Sequence, residues 1–185
     1  MSEVMLDLET LSVRPHAVIL VIGAIKFERT DTWQDDVDEK KIKKFDTFYR
    51  RITISSCVSL GMDIDPLTSK WWQKQEKDIK YEAIVNKDRI ELKQALEEFS
   101  TWFGNSTFIY GNGSSFDVTI LSEAYSRCGM KIPWKYWFIR DLRTVMDIGG
   151  IKMSDVPQYN KHNALYDCYR QILAVQRSIK SLKQI

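Results

Sequence analysis

The sequence predicts an α/β protein in which a mixed β-sheet of about five strands is covered by α-helices. Its first third contains three strand-like segments in succession, as in an antiparallel meander, and the remainder alternates helical segments with short apolar strands. Strands separated by helices usually pair in parallel, so the sheet is expected to combine both kinds of pairing. The length of 185 residues, 44% of them hydrophobic, suits a single domain spanning residues 1–185.

Three segments near the N-terminus have the character of β-strands. Residues 4–9 alternate between apolar and polar side chains, which is the pattern of a strand. Val18–Phe27 is a nearly continuous apolar run rich in β-branched residues, which indicates a strand buried on both faces. Phe45–Ser55 is rich in aromatic and β-branched residues and is predicted to be the third strand. The charged segment Arg29–Lys44 is predicted to be a long hairpin loop between the second and third strands.

Two helices are predicted next, from apolar spacing and from residues that mark helix ends. Asp65 followed by Pro66 is typical of an N-cap and the first helical residue. A second helix is predicted over Asp88–Phe103, where apolar residues recur at helical spacing until Gly104.

The C-terminal part of the chain then alternates strands and helices, which supplies the parallel half of the sheet. The predicted elements are a strand at Thr107–Tyr110, a helix capped by Ser114 or Ser115 that extends to Arg127, a short strand within Trp137–Met146 followed by a helix near residues 141–147, and a long final helix at Asn163–Leu182.

Composition and charge exclude several classes of protein. The formal net charge of +2 is lower than expected for a protein that grips nucleic acid with its whole surface. The longest apolar run, Ala17–Ile25, is far shorter than the ~20 residues of a membrane-spanning helix, so we expect no membrane partner. The first residues contain no basic stretch or cleavage signal, so we expect them not to be a secretory peptide. The three cysteines form no CxxC pair, which favours reduced thiols in a cytoplasmic protein over a zinc site or disulfide framework.

Two acidic residues in the first predicted strand are the first candidate functional feature. Asp7 and Glu9 are two residues apart, so strand geometry places both carboxylates on one face. Because the next strand is predicted to be buried on both faces, this strand is expected to be central and its carboxylates partly buried. Two such carboxylates repel each other, and a divalent cation such as Mg²⁺ relieves that repulsion. An Asp-x-Glu pair taken alone can also consist of two ordinary solvent-exposed residues of a strand.

Three further polar residues lie where predicted loops meet predicted helices. Asp117 falls in the first turn of a helix, where its alternative role is to complement the helix dipole. The Gly-Asn-Gly loop before it lacks the Gly-Lys-Ser/Thr ending of a phosphate-binding loop. His162 precedes the final helix, and Asp167, one turn into it, is expected to point back toward the loop. A single histidine in a loop is usually solvent-exposed and without a chemical role. The only other histidine, His16, has no acidic residue or cysteine at a spacing typical of a site, and it is assigned a structural role.

In combination, these motifs resemble those of the DEDDh family of 3′–5′ exonucleases, which includes polymerase proofreading subunits, oligoribonuclease and RNase T. The matching stretches are Leu6–Thr10, Gly111–Asp117 and His162–Asp167, and the resemblance spans nearly the whole chain. The sister DEDDy branch has a tyrosine four residues before the last aspartate, whereas this chain has Asn163 there. Within the family the chain is most similar to compact phage and bacterial members.

The resemblance implies an RNase H-like fold and phosphodiester hydrolysis with two divalent metal ions, Mg²⁺ or Mn²⁺. It implies that Asp7 bridges both ions, that Glu9 and Asp167 complete the site of the water-activating ion, and that Asp117 binds directly or through water. His162 is implied to be the general base, because an imidazole with a pKa of ~6.5 accepts a proton near neutral pH. These five residues are the predicted catalytic residues, and the four acids are the predicted metal ligands.

The implied substrate is the 3′ end of single-stranded DNA or RNA, from which nucleoside monophosphates are released. Thr10 and Leu11 are implied to meet the terminal nucleotide. Trp72 and Phe116 are candidates for stacking on bases, although one ring of the tryptophan pair at 71 and 72 is expected to pack in the core. Asn112 is a candidate for hydrogen bonding near the 3′ end, and equally for capping its own loop.

Two other functions fit the same residues less well. An RNase H-like endonuclease is disfavoured because the histidine-bearing third motif belongs to the exonuclease branch. A non-catalytic module that binds nucleic acid or a polymerase has no reason to carry all five chemical residues. Two basic stretches, Lys40–Arg51 and residues 170–183, could follow a phosphate backbone or simply be solvated. The choice between DNA and RNA is left open, as is a homodimer, although several family members dimerise.

Overall fold

The structure of the protein, a computed structural model, describes residues 2–183 and contains one mixed sheet in the order β3-β2-β1-β4-β5. The strands are β1 (Glu3–Thr10), β2 (Ile19–Phe27), β3 (Thr47–Arg51), β4 (Ile109–Gly111) and β5 (Ile139–Asp141). β1, β2 and β3 form an antiparallel meander, whereas β4 is parallel to β1 and β5 is parallel to β4. The predicted mixed sheet is therefore confirmed, and β1 is its central strand.

Helices cover both faces of this sheet. Within residues 2–183 they are α1 (Glu39–Ile42), α2 (Ile54–Val58), α3 (Pro66–Gln73), α4 (Lys77–Lys80), α5 (Leu92–Phe103), α6 (Asp117–Arg127), α7 (Leu142–Ile148) and α8 (Ala164–Leu182). A π-helical turn at Tyr81–Val85 follows α4, and single 3₁₀ turns lie at Tyr136–Phe138 and Met153–Asp155. No helix in the described part of the chain has the length and apolar character needed to cross a membrane.

The two faces of β1 contribute to two separate hydrophobic clusters. Leu6 and Leu8 belong to the cluster that contains the buried residues of α5 and α6. Met5 belongs to the cluster beneath α7 and α8. Because alternate residues of a strand share a face, Asp7 and Glu9 lie on the Met5 side, toward α8. The predicted placement of both carboxylates on one face of a central strand is thus confirmed.

Gly23 allows the last helix to lie directly against the sheet. It pairs with Asp7 across β1 and β2, and a Cβ atom at residue 23 would lie 2.5 Å from the Cβ of Ala164. The first turn of α8 therefore rests on the β2 backbone with no side chain between them. This contact brings Asp167, three residues further along α8, to the end of β1 that carries the acidic pair.

The third strand is shorter than predicted. It ends at Arg51, and residues 54–58 form α2 instead of continuing the strand to Ser55. Ile52 forms a bridge with Ile90, and the N–H of Thr53 donates to the Ile90 carbonyl at 2.9 Å. This pairing with a distant segment takes the chain away from β2, so the β-branched composition overstated the length of the strand.

The same pairing shortens the helix predicted over Asp88–Phe103. Ile90 is held extended by its bridge, so α5 begins at Leu92. The Ser56 hydroxyl accepts the N–H of Leu92 at 3.0 Å and thereby caps the first turn. Gly104 follows the last helical residue, as predicted.

Two further local differences concern a loop and a helix cap. The charged segment predicted as a loop contains the single-turn helix α1. The helix after β4 begins at Asp117 with Phe116 at its N-cap, so neither Ser114 nor Ser115 caps it. The N–H of Ser114 instead donates to the Asp141 side chain at 2.6 Å, which ties the loop after β4 to the end of β5.

Substituting Gly23→Ala is expected to destabilise the protein by about 1–3 kcal/mol, the usual cost of overpacking a core contact. Ala164→Gly is expected to restore part of that loss when combined with Gly23→Ala, although glycine in a helix costs up to about 1 kcal/mol by itself. Urea denaturation of the two single variants and the double variant measures the coupling. Strictly additive losses would show that this close approach does not limit the packing of α8.

Candidate active site

Four carboxylates from three elements converge at one edge of the sheet. β1 carries Asp7 and Glu9, the start of α6 carries Asp117, and the first turn of α8 carries Asp167. The Leu8 N–H donates to Asp117 Oδ1 at 3.1 Å, which joins α6 to β1 between the two acids of the strand. Because β1 and β4 are parallel, their carboxyl ends meet at this edge, and the helix that follows β4 starts beside Asp7.

The loop before α8 places His162 next to two of these acids. The backbone N–H of His162 donates to Asp167 Oδ2 at 3.1 Å, so Asp167 does point back at the loop as predicted. Donor atoms of Glu9, His162 and Asp167 all lie within 4.8 Å of one another. His162 has a φ of 61°, a left-handed conformation in which histidine is found more often than most residues.

Burial raises the pKa values of all four acids, and repulsion by neighbouring carboxylates adds to the shifts of Asp7 and Glu9. Burial, and then the charges of Asp117 and Glu9, hold the pKa of Asp7 well above its ordinary range. Glu9 shifts in the same direction because it is buried and faces Asp167 and Asp117. Burial raises the pKa of Asp117 to about 7 and that of Asp167 to about 6, although backbone hydrogen bonds partly offset both shifts. The cluster thus disfavours four negative charges when no cation is present.

Gln171 is a member of this site that the sequence analysis missed. It is buried one turn after Asp167 on the same side of α8, and its Nε2 donates to Asp7 Oδ1 at 2.8 Å. Its Oε1 is buried without a hydrogen-bond partner. The four-residue spacing from Asp167 is a signal that could have identified it, because residues i and i+4 share a helix face.

An apolar cavity of about 520 Å³ opens beside Glu9. Its walls are formed by the end of β1, the loop that follows, α3 and Phe116. Val13 and Leu67 line it and are exposed over more than 70% of their surface, which is unusual for aliphatic side chains in a cavity wall. This cavity places apolar surface directly next to the acidic cluster.

The structure separates the roles of the two adjacent tryptophans. Trp72 is 2% exposed, and its indole N–H donates to the Thr10 carbonyl at 2.8 Å, which anchors α3 to the end of β1. Trp71 is 41% exposed, lines the apolar cavity and meets the His162 ring edge-to-face at a centroid distance of 5.0 Å. Trp71 is therefore the more accessible of the two rings. Trp72 also borders the cavity, and its stacking role stays a prediction.

The other predicted substrate residues lie around the same cluster. Thr10 and Phe116 line the apolar cavity. Leu11 is buried and its backbone pairs with Val18 and Asp65, so it supports the cavity from behind. Asn112 lies on the other side of the cluster, in a small polar cavity that also contains Asp7, His162, Asp167 and Gln171.

The arginines of the two basic stretches make contacts within the protein. Arg50 forms an ion pair with Glu98, and Arg51 forms one with Glu82. Both glutamates lie outside the basic stretch Lys40–Arg51. Arg170 donates to the carbonyls of Met153 and Val156, which fixes the course of the loop before α8. These contacts of the arginines weigh against a continuous track for a phosphate backbone, and the alternative of solvated residues is kept for the lysines.

Comparison with known proteins agrees with this geometry. Residues 2–179 match the family model described as the 3′-5′ exoribonuclease Rv2179c-like domain. The chain belongs to this family. No curated protein matches the sequence at a significant level. The nuclease domain of 3′hExo, a DEDDh family member solved with rAMP, is 11% identical, with a TM-score of 0.56 over 97% of this chain and 92% of that one.

A second similar structure is cell-death related nuclease 4 (CRN-4), with 11% identity and a TM-score of 0.50 over 97% of this chain. The chain spans 64% of the length of CRN-4. At such low identity both likenesses show the fold, and they confirm the predicted RNase H-like arrangement. The family match confirms the prediction of a 3′–5′ exonuclease domain, an enzyme that acts on nucleic acid.

Without a divalent cation, the exonuclease domain is expected to be less stable at pH 8 than at pH 5. Carboxyl groups titrate near pH ~4 in an unfolded chain. The folded pKa values of Asp117 and Asp167 are about 7 and about 6, so the folded state holds extra protons between these limits. That stabilisation is complete below the unfolded pKa and is lost as the pH rises through 6 to 7. Burial lowers the pKa of His162, which works in the opposite direction, but one imidazole opposes four carboxyls.

Thermal unfolding in EDTA across this pH range measures the effect. Asp117→Asn is the matched control, because it removes one titrating group and is expected to flatten the dependence. A melting temperature that rises between pH 5 and pH 8 would contradict the electrostatic account of the cluster.

Proposed function

We propose that this domain is a metal-dependent 3′–5′ exonuclease that releases nucleoside monophosphates from the 3′ end of single-stranded RNA. The observation that carries the proposal is the group of Glu9, His162 and Asp167 beside an apolar cavity that suits a nucleobase, with Asp7 and Asp117 close enough to interact with it electrostatically. The choice of RNA rests on the exoribonuclease description of the family, since the sequence analysis left DNA and RNA open.

The donor set fits divalent metal ions. Mg²⁺ and Mn²⁺ prefer oxygen ligands, and Asp7, Glu9, Asp117 and Asp167 would hold them. Burial raises the pKa values of these acids, and a bound cation would favour their charged forms. The unpartnered Oε1 of Gln171, buried next to Asp7, is a further acceptor that the water shell of such an ion would satisfy. Two divalent ions at such a site supply an activated water and neutralise charge on the scissile phosphate.

His162 is assigned as the general base. Burial lowers its pKa, so its imidazole is neutral at physiological pH and a ring nitrogen is free to take the proton of the attacking water. The hydrogen bond from its backbone to Asp167 keeps the ring beside Glu9 and Asp167. His162 then carries the proton away from the reacting phosphate, while Gln171 keeps the Asp7 carboxylate in a fixed orientation.

The apolar cavity is assigned to the base of the 3′-terminal nucleotide. Trp71 and Phe116 offer rings for stacking, which contributes about 1–3 kcal/mol per base and tolerates any sequence. Thr10 at the end of β1 borders both this cavity and the acidic cluster, so it is placed to meet the sugar of the same nucleotide. A cavity with few polar groups favours an exonuclease that accepts all four bases.

A single domain accounts for all the proposed site residues, which come from β1, α3, α6, α8 and the loops before α6 and α8. Three free cysteines, two of them buried, are consistent with a cytoplasmic location. Association into a homodimer is left to measurement.

The reaction class is tested with a 5′-labelled single strand, supplied as RNA and as DNA, with Mg²⁺ or Mn²⁺. We expect a ladder that shortens from the 3′ end and a faster rate on RNA. Asp7→Asn is expected to abolish cleavage while the protein remains folded by circular dichroism. Early internal fragments would favour an endonuclease, and no cleavage by the unmodified protein would favour a binding module.

Metal binding is tested separately from activity. Adding Mn²⁺ at pH 8 is expected to raise the melting temperature of the exonuclease domain, because the ion binds the folded acidic cluster. The isosteric variant Asp7→Asn is expected to lose most of that increase. An equal increase in both proteins would place the ion elsewhere.

His162→Ala is expected to slow turnover by about 10²–10⁴-fold, the usual contribution of a general base. The matched control is His16→Ala, since His16 lies outside the site and serves the fold through its backbone carbonyl. Unchanged turnover in the His162 variant would remove this residue from the mechanism.

A further inference from the structure

Trp71 contacts two parts of the site that belong to different steps of the reaction. One part is the apolar cavity assigned to the terminal base, which Trp71 lines together with Leu67 and Phe116. The other is His162, whose ring lies 5.0 Å from the Trp71 ring at an interplanar angle of 90°. The same indole therefore forms a wall of the cavity and a support for the general base.

The helix that carries Trp71 is well anchored. Asp65 Oδ2 accepts the Thr68 N–H at 2.9 Å and caps the first turn of α3. The neighbouring ring of Trp72 is buried and hydrogen-bonded to the Thr10 carbonyl. The rings of Trp71 and Trp72 meet edge-to-face at 5.1 Å. Trp71 is thus carried by a firmly anchored helix, and 41% of its surface is exposed to a ligand.

His162 is held less firmly. It lies in a loop between the 3₁₀ turn at Met153–Asp155 and α8, in the left-handed region of backbone conformation. Its backbone is tied to Asp167, while its ring packs edge-to-face on Trp71. An edge-to-face aromatic pair shifts a conformational equilibrium by a factor of about 2–10. A contact of this size can decide how often a loop residue occupies its working position.

Resting on the proposed function, we propose that Trp71 is a positioning residue through which a base in the cavity fixes His162. A base stacked on Trp71 orders the indole, and the ordered indole holds the imidazole beside Glu9 and Asp167. The domain then turns over rapidly only when the terminal nucleotide carries a base. The substrate class is accordingly strand ends with an intact nucleoside, and ends that have lost the base are cleaved slowly.

The kinetic test compares two single-stranded RNA substrates that differ only in their last residue, a normal adenosine or an abasic ribose. For the unmodified protein, kcat is expected to fall about 5- to 10-fold on the abasic end. For Trp71→Leu, kcat is expected to be reduced on the normal end and to fall little further on the abasic one. Trp71→Phe is expected to restore much of the difference, because it keeps a ring at this position.

The matched control is Trp137→Leu. Trp137 is also exposed, but it lies in the turn before β5. Because β5 is parallel to β4, this turn is at the opposite edge of the sheet from the loop after β4. This variant is expected to retain the kcat of the unmodified protein and its sensitivity to the missing base. Additive effects of Trp71→Leu and base removal, or equal kcat on both ends for the unmodified protein, would overturn the proposal.

A measurement without catalysis tests the same coupling. The chain has only two histidines, so the ring resonances of His162 and His16 can be resolved and assigned by NMR. AMP is expected to shift the His162 resonances of the unmodified protein, and ribose 5-phosphate, which has no base, is expected to shift them much less. In Trp71→Leu the two ligands should act alike.

Equal shifts by AMP and ribose 5-phosphate in the unmodified protein would overturn the coupling even if the protein degrades RNA. Failure of the proposed function is distinguishable, because it appears as absence of 3′-end cleavage by the unmodified protein.

Discussion

The site depends on the contact between the last helix and the sheet. α8 supplies Asp167 and Gln171, and the loop before it supplies His162, so the helix must approach β1 closely. It does so because Gly23 offers no side chain where the first turn of α8 crosses β2. The acidic pair of β1 faces the same side of the sheet, which makes this helix–sheet distance the dimension that sets the geometry of the cluster.

The acidic cluster opposes the stability of the fold that carries it. Four carboxyls with raised pKa values are held together by strands and helices whose packing is driven by apolar burial. That burial forms one hydrophobic cluster on each face of the sheet. Desolvation makes each charge costly, and the few hydrogen bonds to Asp7 and Asp117 offset only part of that cost. Such unfavourable electrostatics in a well-packed frame are typical of functional sites, where groups are arranged to act on a ligand.

The sequence was sufficient to predict the mixed sheet, because strand and helix signals are local. It also singled out the five residues that the structure brings together, whose catalytic roles rest on the family resemblance and stay predictions. Strand alternation placed Asp7 beside Glu9, and the helix start placed Asp167 near His162. The role of each tryptophan was beyond such reasoning. Adjacent residues of a helix point to different sides. Which of the two tryptophans is buried depends on the hydrogen bond from Trp72 to Thr10, 62 residues away in the sequence. The early end of β3 was hidden for the same reason, since it depends on Ile90.

The order of the site residues along the chain has a consequence for synthesis. Asp7 and Glu9 emerge from the ribosome first, Asp117 much later, and His162 and Asp167 only with the last helix. The acidic residues of β1 therefore lie in one cluster with a residue, Asp167, that is 160 residues downstream of Asp7. A nascent chain whose residues 162–171 have not yet been synthesised therefore lacks part of the candidate site while it is still close to its own messenger RNA.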